Sequence, residues 1–122
     1  MKKIILASVV AVSALVSQAA FAGTICTRAS AAHAGTIVAA DYGTAGTNYM
    51  VTAIAPKCSA NVELQGADSA GGTYYYVAAN SSKGKNSFGS STGGFNVTLP
   101  CPATGCTSTE VGTTLAASNF GT

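Results

Sequence analysis

The sequence has little charge and no tryptophan. Charged side chains make up 8% of its 122 residues, whereas typical soluble domains have about a quarter. A surface with so little charge repels other copies weakly, which favours association. His33, the single histidine, lies among alanines and is interpreted as a solvated loop residue, because no serine has the sequence context of a hydrolase nucleophile. We therefore expect no enzymatic activity and predict no catalytic residues.

Long apolar stretches are also missing, except at the start of the chain. Residues 1–22 have the parts of a bacterial export signal: a basic start (Lys2, Lys3), an apolar run (4–16) and a small-x-small cleavage site (20–22). The run is too short to span a bilayer. We expect cleavage before Gly23 and a single mature domain, 23–122. This domain is predicted to be secreted, through the periplasm, to the cell surface or medium, without membrane insertion.

The charge balance of this mature domain limits its partners. Removing Lys2 and Lys3 from the six basic residues leaves four, which equal the four acidic residues. Nucleic acids and anionic membranes select basic surfaces. A formally neutral domain is therefore not expected to bind nucleic acid.

Four cysteines follow the predicted signal: Cys26, Cys58, Cys101 and Cys106. An even number in a small exported domain predicts two disulfides, and three pairings satisfy the sequence. We favour Cys26–Cys58 with Cys101–Cys106, because prolines and a glycine around the last two residues favour a tight reversal. A zinc site is the alternative, but the wide spacing of the first two cysteines is not that of a zinc knuckle. No metal or cofactor is expected.

The mature sequence reads as short strands between turns rich in glycine, asparagine and serine. Apolar or alternating stretches predict strands at Thr24–Arg28, Thr36–Ala40, Asn48–Ala55, Asn61–Gln65, Thr73–Ala79 and Phe95–Leu99. Residues 80–94 are interpreted as a polar loop, and residues 110–116 as an extra strand or a weak helix. This pattern predicts an all-β fold, a small disulfide-stapled β-sandwich or partly open barrel.

Two groups of polar and aromatic residues are candidates for function. Glu63 and Asp68 are the closest acids in sequence, and we interpret them as solvated, with Glu63 pointing outward. Tyr74, Tyr75 and Tyr76 are consecutive, so Tyr74 and Tyr76 should share one face of a strand and Tyr75 the other. Sheet packing explains them, and a contact surface is the functional alternative.

The early cysteine pair, Cys26 and Cys58, resembles the pair with which many exported bacterial pilins tie their first strands. The sequence departs from that pattern at its end, where residues 118–122 lack a penultimate tyrosine. The resemblance implies a fibre or pilus (fimbrium) subunit that forms a homopolymer through β-strand edges and takes part in adhesion. The predicted donor is residues 23–38. Candidate interface residues are Ile25, Ile37, Val38, Tyr74, Tyr75 and Tyr76.

Two other functions fit the same sequence. One is a soluble secreted module that binds a glycan or protein ligand through the three tyrosines and the loop at residues 80–94. The other is a small disulfide-rich inhibitor. A fibre subunit should form large species, whereas either alternative should be a stable monomer or small oligomer.

Overall fold

The computed structural model describes residues 23–37, 43, 47–69 and 71–118. The predicted signal peptide and Val38 lie outside these ranges. Five antiparallel strands form the main sheet, in the order β1-β4-β5-β6-β7. They are β1 (Gly23–Cys26), β4 (Val62–Asp68), β5 (Tyr75–Ser81), β6 (Asn86–Ser91) and β7 (Asn96–Pro100). A two-stranded sheet joins β2 (His33–Ala34) to β3 (Lys57–Cys58), and α1 (Ser108–Ser118) packs on the main sheet.

The predicted fold class is confirmed. The described chain is mostly strands with two disulfides and one short helix, and its sheet is not closed into a barrel. The favoured cysteine pairing is also confirmed: Cys26 bonds to Cys58, and Cys101 bonds to Cys106. No cysteine is free.

Residues 110–116, where the sequence left strand and helix open, belong to the helix α1. A capping box starts it: the Thr107 backbone N–H donates to Glu110 Oε2 at 2.6 Å, and the Thr109 N–H donates to Thr107 Oγ1 at 3.2 Å. Val111, Thr114, Leu115 and Ser118 form its buried face, at the spacing of one helix stripe. Packing and capping therefore hold a helix whose many threonines have weak intrinsic propensity.

Strand β6 was missed, because its sequence, NSFGSS, reads as a polar loop. Its small residues Ser87, Gly89 and Ser91 are buried and face α1. A Cβ atom on Gly89 would overlap Ser118 Oγ and would come within 2.8 Å of Val97 Cγ1. Small side chains here let the helix approach the sheet closely, so this strand does not show the apolar alternation that usually indicates burial.

The predicted strand over residues 48–55 is wrong. Only isolated bridges occur, at Asn48 and Met50, and Met50 packs against the core. Tyr49, Val51 and Ile54 are exposed. The segment has the alternation of a strand, but alternation alone does not supply the neighbouring strand that a ladder requires.

Candidate interaction surface

Strand β7 is one edge of the main sheet, and the described part of the chain places no strand beyond it. Its inner side pairs with β6: the Ser91 N–H donates to Phe95 O at 2.9 Å, and the Cys101 N–H donates to Lys85 O at 2.8 Å. In an antiparallel ladder, alternate residues turn their backbone groups toward the same neighbour. The odd-numbered residues of β7 therefore face β6.

The even-numbered residues consequently turn their backbone groups away from the sheet. Asn96 and Thr98 each present an N–H and a C=O outward, and Pro100 presents only a C=O. Strand β7 has no charged side chain, although charges on edge strands are a common protection against pairing with another chain. We call this row of outward backbone groups the β7 edge.

The opposite edge is less open. There the Thr36 N–H donates to Ile25 O at 2.9 Å, on the side of β1 that faces away from β4. Strand β1 is also tied to β3 by the Cys26–Cys58 disulfide. Segments of the same chain therefore occupy part of this edge.

No helix or strand among the described residues covers the sheet face opposite α1 along β6 and β7. Phe88 is 56% exposed there, in register with Thr98 on β7 and Ala79 on β5. A shallow, open groove of about 360 Å³ lies on this face. Its side chains are largely apolar or small, and it is lined by Val77, Ala79, Phe88, Ser90, Asn96 and Thr98, with the backbone of Gly89 and Val97. We call this surface the open face.

The predicted interface residues that the structure describes lie elsewhere, and Val38 is outside the described ranges. Ile25 and Ile37 are buried in one core cluster with Tyr75, and Tyr76 is buried in a second cluster beneath α1. Tyr74 packs against the second cluster, and its ring centroid lies 6.1 Å from that of Tyr76. The tyrosines thus alternate faces as predicted. An interface that used Ile25, Ile37, Tyr75 or Tyr76 would first have to withdraw that side chain from the core.

A buried polar cluster was missed altogether, and it corrects the interpretation of Glu63. Glu63 is 6% exposed and faces α1 instead of pointing outward. Its carboxylate accepts from Ser108 Oγ at 2.6 Å and from Gln65 Nε2 at 2.9 Å, and Arg28 Nε lies 3.5 Å away. The prediction failed because alternation identifies two faces of a strand without indicating which one a helix will cover.

Arg28 and Asn80 extend this cluster. Arg28 Nη2 donates to Asn80 Oδ1 at 2.6 Å, and Asn80 Nδ2 donates to Thr107 O at 2.9 Å. The cluster therefore joins β4 and β5 to the start of α1. The Glu63, Gln65, Asn80 and Ser108 side chains are hydrogen-bonded within the cluster or to Thr107, whereas Arg28 Nε makes an ion-pair contact with Glu63 and no hydrogen bond to a described residue. We call this cluster the buried polar clasp, because such a network holds the elements it joins together.

The remaining titratable candidates are dispersed. His33 is half-buried on β2, paired with Cys58, and its Nδ1 lies 3.3 Å from Ala31 O. Asp68 Oδ2 accepts from the Tyr49 N–H at 2.8 Å. Within the described ranges, no three histidine, cysteine or acidic side chains come together as metal ligands.

Comparison with known proteins assigns this chain to no family. No family model, curated protein or solved structure matches this chain. Among the residues that the structure describes, no helix has the length and apolar character needed to cross a membrane.

Proposed function

We propose that the protein is a structural subunit of an extracellular fibre or pilus, which assembles with its own copies through a β-strand edge. The observation that carries the proposal is the β7 edge. There Asn96 and Thr98 turn backbone groups away from β6, no strand of the described residues lies beyond them, and β7 has no charged side chain. Such an edge is a template for another strand, because pairing completes its hydrogen bonds.

The proposal changes which segment makes the contact. The N-terminal donor predicted from the sequence, residues 23–38, supplies β1 to its own sheet and Ile25 to its own core. Strand β7 is already positioned at an open edge, so it can pair without unfolding any part of the subunit. The low charge of the chain also leaves little repulsion between assembled copies.

The proposed location is extracellular, after export through the periplasm. Two formed disulfides support it, because disulfides persist in oxidising compartments and are rare in the cytosol. The Cys26–Cys58 disulfide, which closes a loop of 32 residues, and the buried polar clasp around Glu63 would keep the subunit folded during and after export.

The test is to image secreted protein by negative-stain electron microscopy, with Thr98→Pro and Thr98→Val as a matched pair. Proline removes an outward N–H and is tolerated at sheet edges, whereas valine keeps that N–H and the shape of threonine. We expect fibres from wild type and Thr98→Val, and folded, non-assembling protein from Thr98→Pro. A strictly monomeric wild type would refute the function, and normal fibres from Thr98→Pro would refute the β7 edge as the contact.

A second candidate function is a binding module for a glycan or protein ligand. The exposed ring of Phe88 favours it, because the groove around it also presents Ser90, Asn96 and Thr98 as hydrogen-bonding side chains. A glycan-array measurement with wild type and Phe88→Ala decides between the two. Binding by a monomeric wild type that is lost in Phe88→Ala would favour the module over the fibre subunit.

A further inference from the structure

We propose that β7 pairs with β7 of a second copy, antiparallel, about a two-fold axis that passes beside Val97. The inference rests on the proposed self-assembly and specifies its contact and register. It follows from the positions of the outward backbone groups along β7 and from the residues that end the strand on each side.

The β7 edge is complementary to itself in this register. Asn96 of one copy lies opposite Thr98 of the other, and both residues turn their N–H and C=O groups outward. A hydrogen-bonded antiparallel pair exchanges both bonds, so the two symmetric pairs make about four backbone hydrogen bonds. Val97 then lies opposite its own symmetry mate, as a pair without hydrogen bonds.

Pro100 disfavours the register centred on Thr98. That register would place Asn96 opposite Pro100, which has no N–H to donate and whose ring would occupy the donor's place. The Asn96 carbonyl would then be covered without a partner, and a buried unpaired carbonyl is costly. The Val97-centred register leaves Pro100 outside the pairing region.

Gly94 ends the pairing region on the other side. It has a φ of 89°, outside the strand region, and its N–H already donates to Ser91 O at 3.0 Å. A register centred on Asn96 would place Thr98 opposite Gly94, and the hydrogen bonds between Thr98 and a residue of the other copy would be lost. Of these three registers, only the one centred on Val97 pairs both the N–H and the C=O of Asn96 and of Thr98 in each copy.

Charge does not oppose this arrangement. The nearest lysine in the ladder, Lys85, lies beside Cys101 at the far end of β7. In the proposed register the two Cys101 residues are offset along the strands by about 27 Å, at ~3.4 Å per residue. This exceeds the Debye length of about 8 Å at physiological salt. The two lysines are therefore kept at opposite ends of the contact.

Pairing would join the two five-stranded sheets into one, with both open faces on the same side. It uses one edge of each subunit, so growth into a fibre needs a second contact elsewhere. The exposed Tyr49, Val51 and Ile54 lie in the segment whose Met50 packs on the β1 side of the sheet. They remain outward in the pair and could not be covered by the β7 contact.

The register is tested by disulfide trapping in the mature chain, with single substitutions Val97→Cys, Thr98→Cys and Leu99→Cys. A mild oxidant, diamide, accepts the two hydrogens lost when two thiols join. Opposed residues in a pair without hydrogen bonds have Cα atoms about 4.5 Å apart, which suits a disulfide. Residues at position 98 would be about 8 Å apart and those at 99 farther, beyond the roughly 7 Å limit.

We expect Val97→Cys to give covalent dimers at least tenfold faster than either control, on non-reducing gels, with the native disulfides checked by peptide mapping. Preferential trapping of Thr98→Cys, or equal and slow trapping of all three, would overturn the inference. The two proposals can fail separately. Trapped Val97→Cys dimers with no fibres from wild type would leave the pairing intact and refute the fibre function, whereas wild-type fibres without Val97→Cys trapping would refute the pairing alone.

Discussion

The two halves of the main sheet differ in how they are covered. Around β1, β4 and the start of β5, one face carries the cluster of Ile25, Ile37 and Tyr75, and α1 packs over the opposite face of β4 and β5. Along β6 and β7, α1 covers one face while Phe88 stays exposed on the opposite face. We call the first region the covered half and the second the open half. The comparison indicates that stability is concentrated in the covered half, and that the open half leaves Phe88 and the β7 edge exposed, as the proposed association requires.

The largest effect should come from removing the covered half's disulfide. Cys26→Ala with Cys58→Ala removes a bridge across 32 residues, and the loop-entropy model gives a loss of about 3.7 kcal/mol. The matched double variant, Cys101→Ala with Cys106→Ala, opens a five-residue bridge and should lose about 2 kcal/mol. Urea unfolding of all three proteins measures the difference. Equal losses of unfolding free energy in the two double variants would contradict the prediction that the covered half contributes more stability.

Truncating one apolar side chain in each half should reveal a second difference between the halves in the unfolding free energy that is lost. Ile25 is 5% exposed, so Ile25→Ala should cost about 3 kcal/mol of unfolding free energy through lost burial and a cavity. Phe88→Ala should cost at most about 0.5 kcal/mol, because its ring already contacts solvent. The same unfolding experiment measures both. A large loss in Phe88→Ala would show that the open face is covered in the folded protein.

The buried polar clasp predicts an intermediate effect. Glu63→Ala leaves Ser108 and Gln65 without their shared acceptor and should lower the unfolding free energy by about 2 kcal/mol. Glu63→Gln is the matched control, since it keeps the shape and one acceptor oxygen, and should lose less. If both variants unfold like wild type, the clasp does not stabilise the attachment of α1.

The smallest effect is expected at the exposed cap of α1. The Thr107 hydroxyl, followed by its backbone N–H, lowers the pKa of Glu110 below its ordinary 4.5. A carboxylate with a lowered folded-state pKa stabilises the fold above its unfolded pKa, and this contribution disappears as pH falls through the folded value. Wild type should therefore exceed Glu110→Gln in urea stability at about pH 7, with the difference shrinking toward about pH 3. A difference that does not change with pH would contradict this.

Sequence patterns located strands in both halves of the sheet but missed β6. Apolar alternation located most of β4 and, through Phe95, Val97 and Leu99, most of β7, whereas the aromatic and apolar run over residues 73–79 located most of β5. Cysteine spacing favoured the disulfides that form. These signals come from side chains large enough to mark a buried face.

Two features that the sequence did not indicate, the strand β6 and the burial of Glu63, depend on how α1 packs on the sheet. Ser87, Gly89 and Ser91 are buried because α1 requires small residues beneath it, and serine and glycine in a row are typical of loops. Glu63 is buried because Arg28 and Ser108, 35 and 45 residues away in sequence, meet it in the fold. The β7 edge depends on strand order and hydrogen-bond direction, and a single strand's sequence carries neither.

Amide hydrogen exchange along β7 tests the central claim most directly. Assembled and dilute wild-type protein would be exchanged in parallel, quenched, and read residue by residue by NMR. In dilute protein the Val97 and Leu99 amides should be protected by β6, while those of Asn96 and Thr98 exchange rapidly. Assembly should slow the exchange of the Asn96 and Thr98 amides to the rate of the Val97 and Leu99 amides. Rapid exchange of Asn96 and Thr98 in the assembled protein would contradict assembly through the β7 edge.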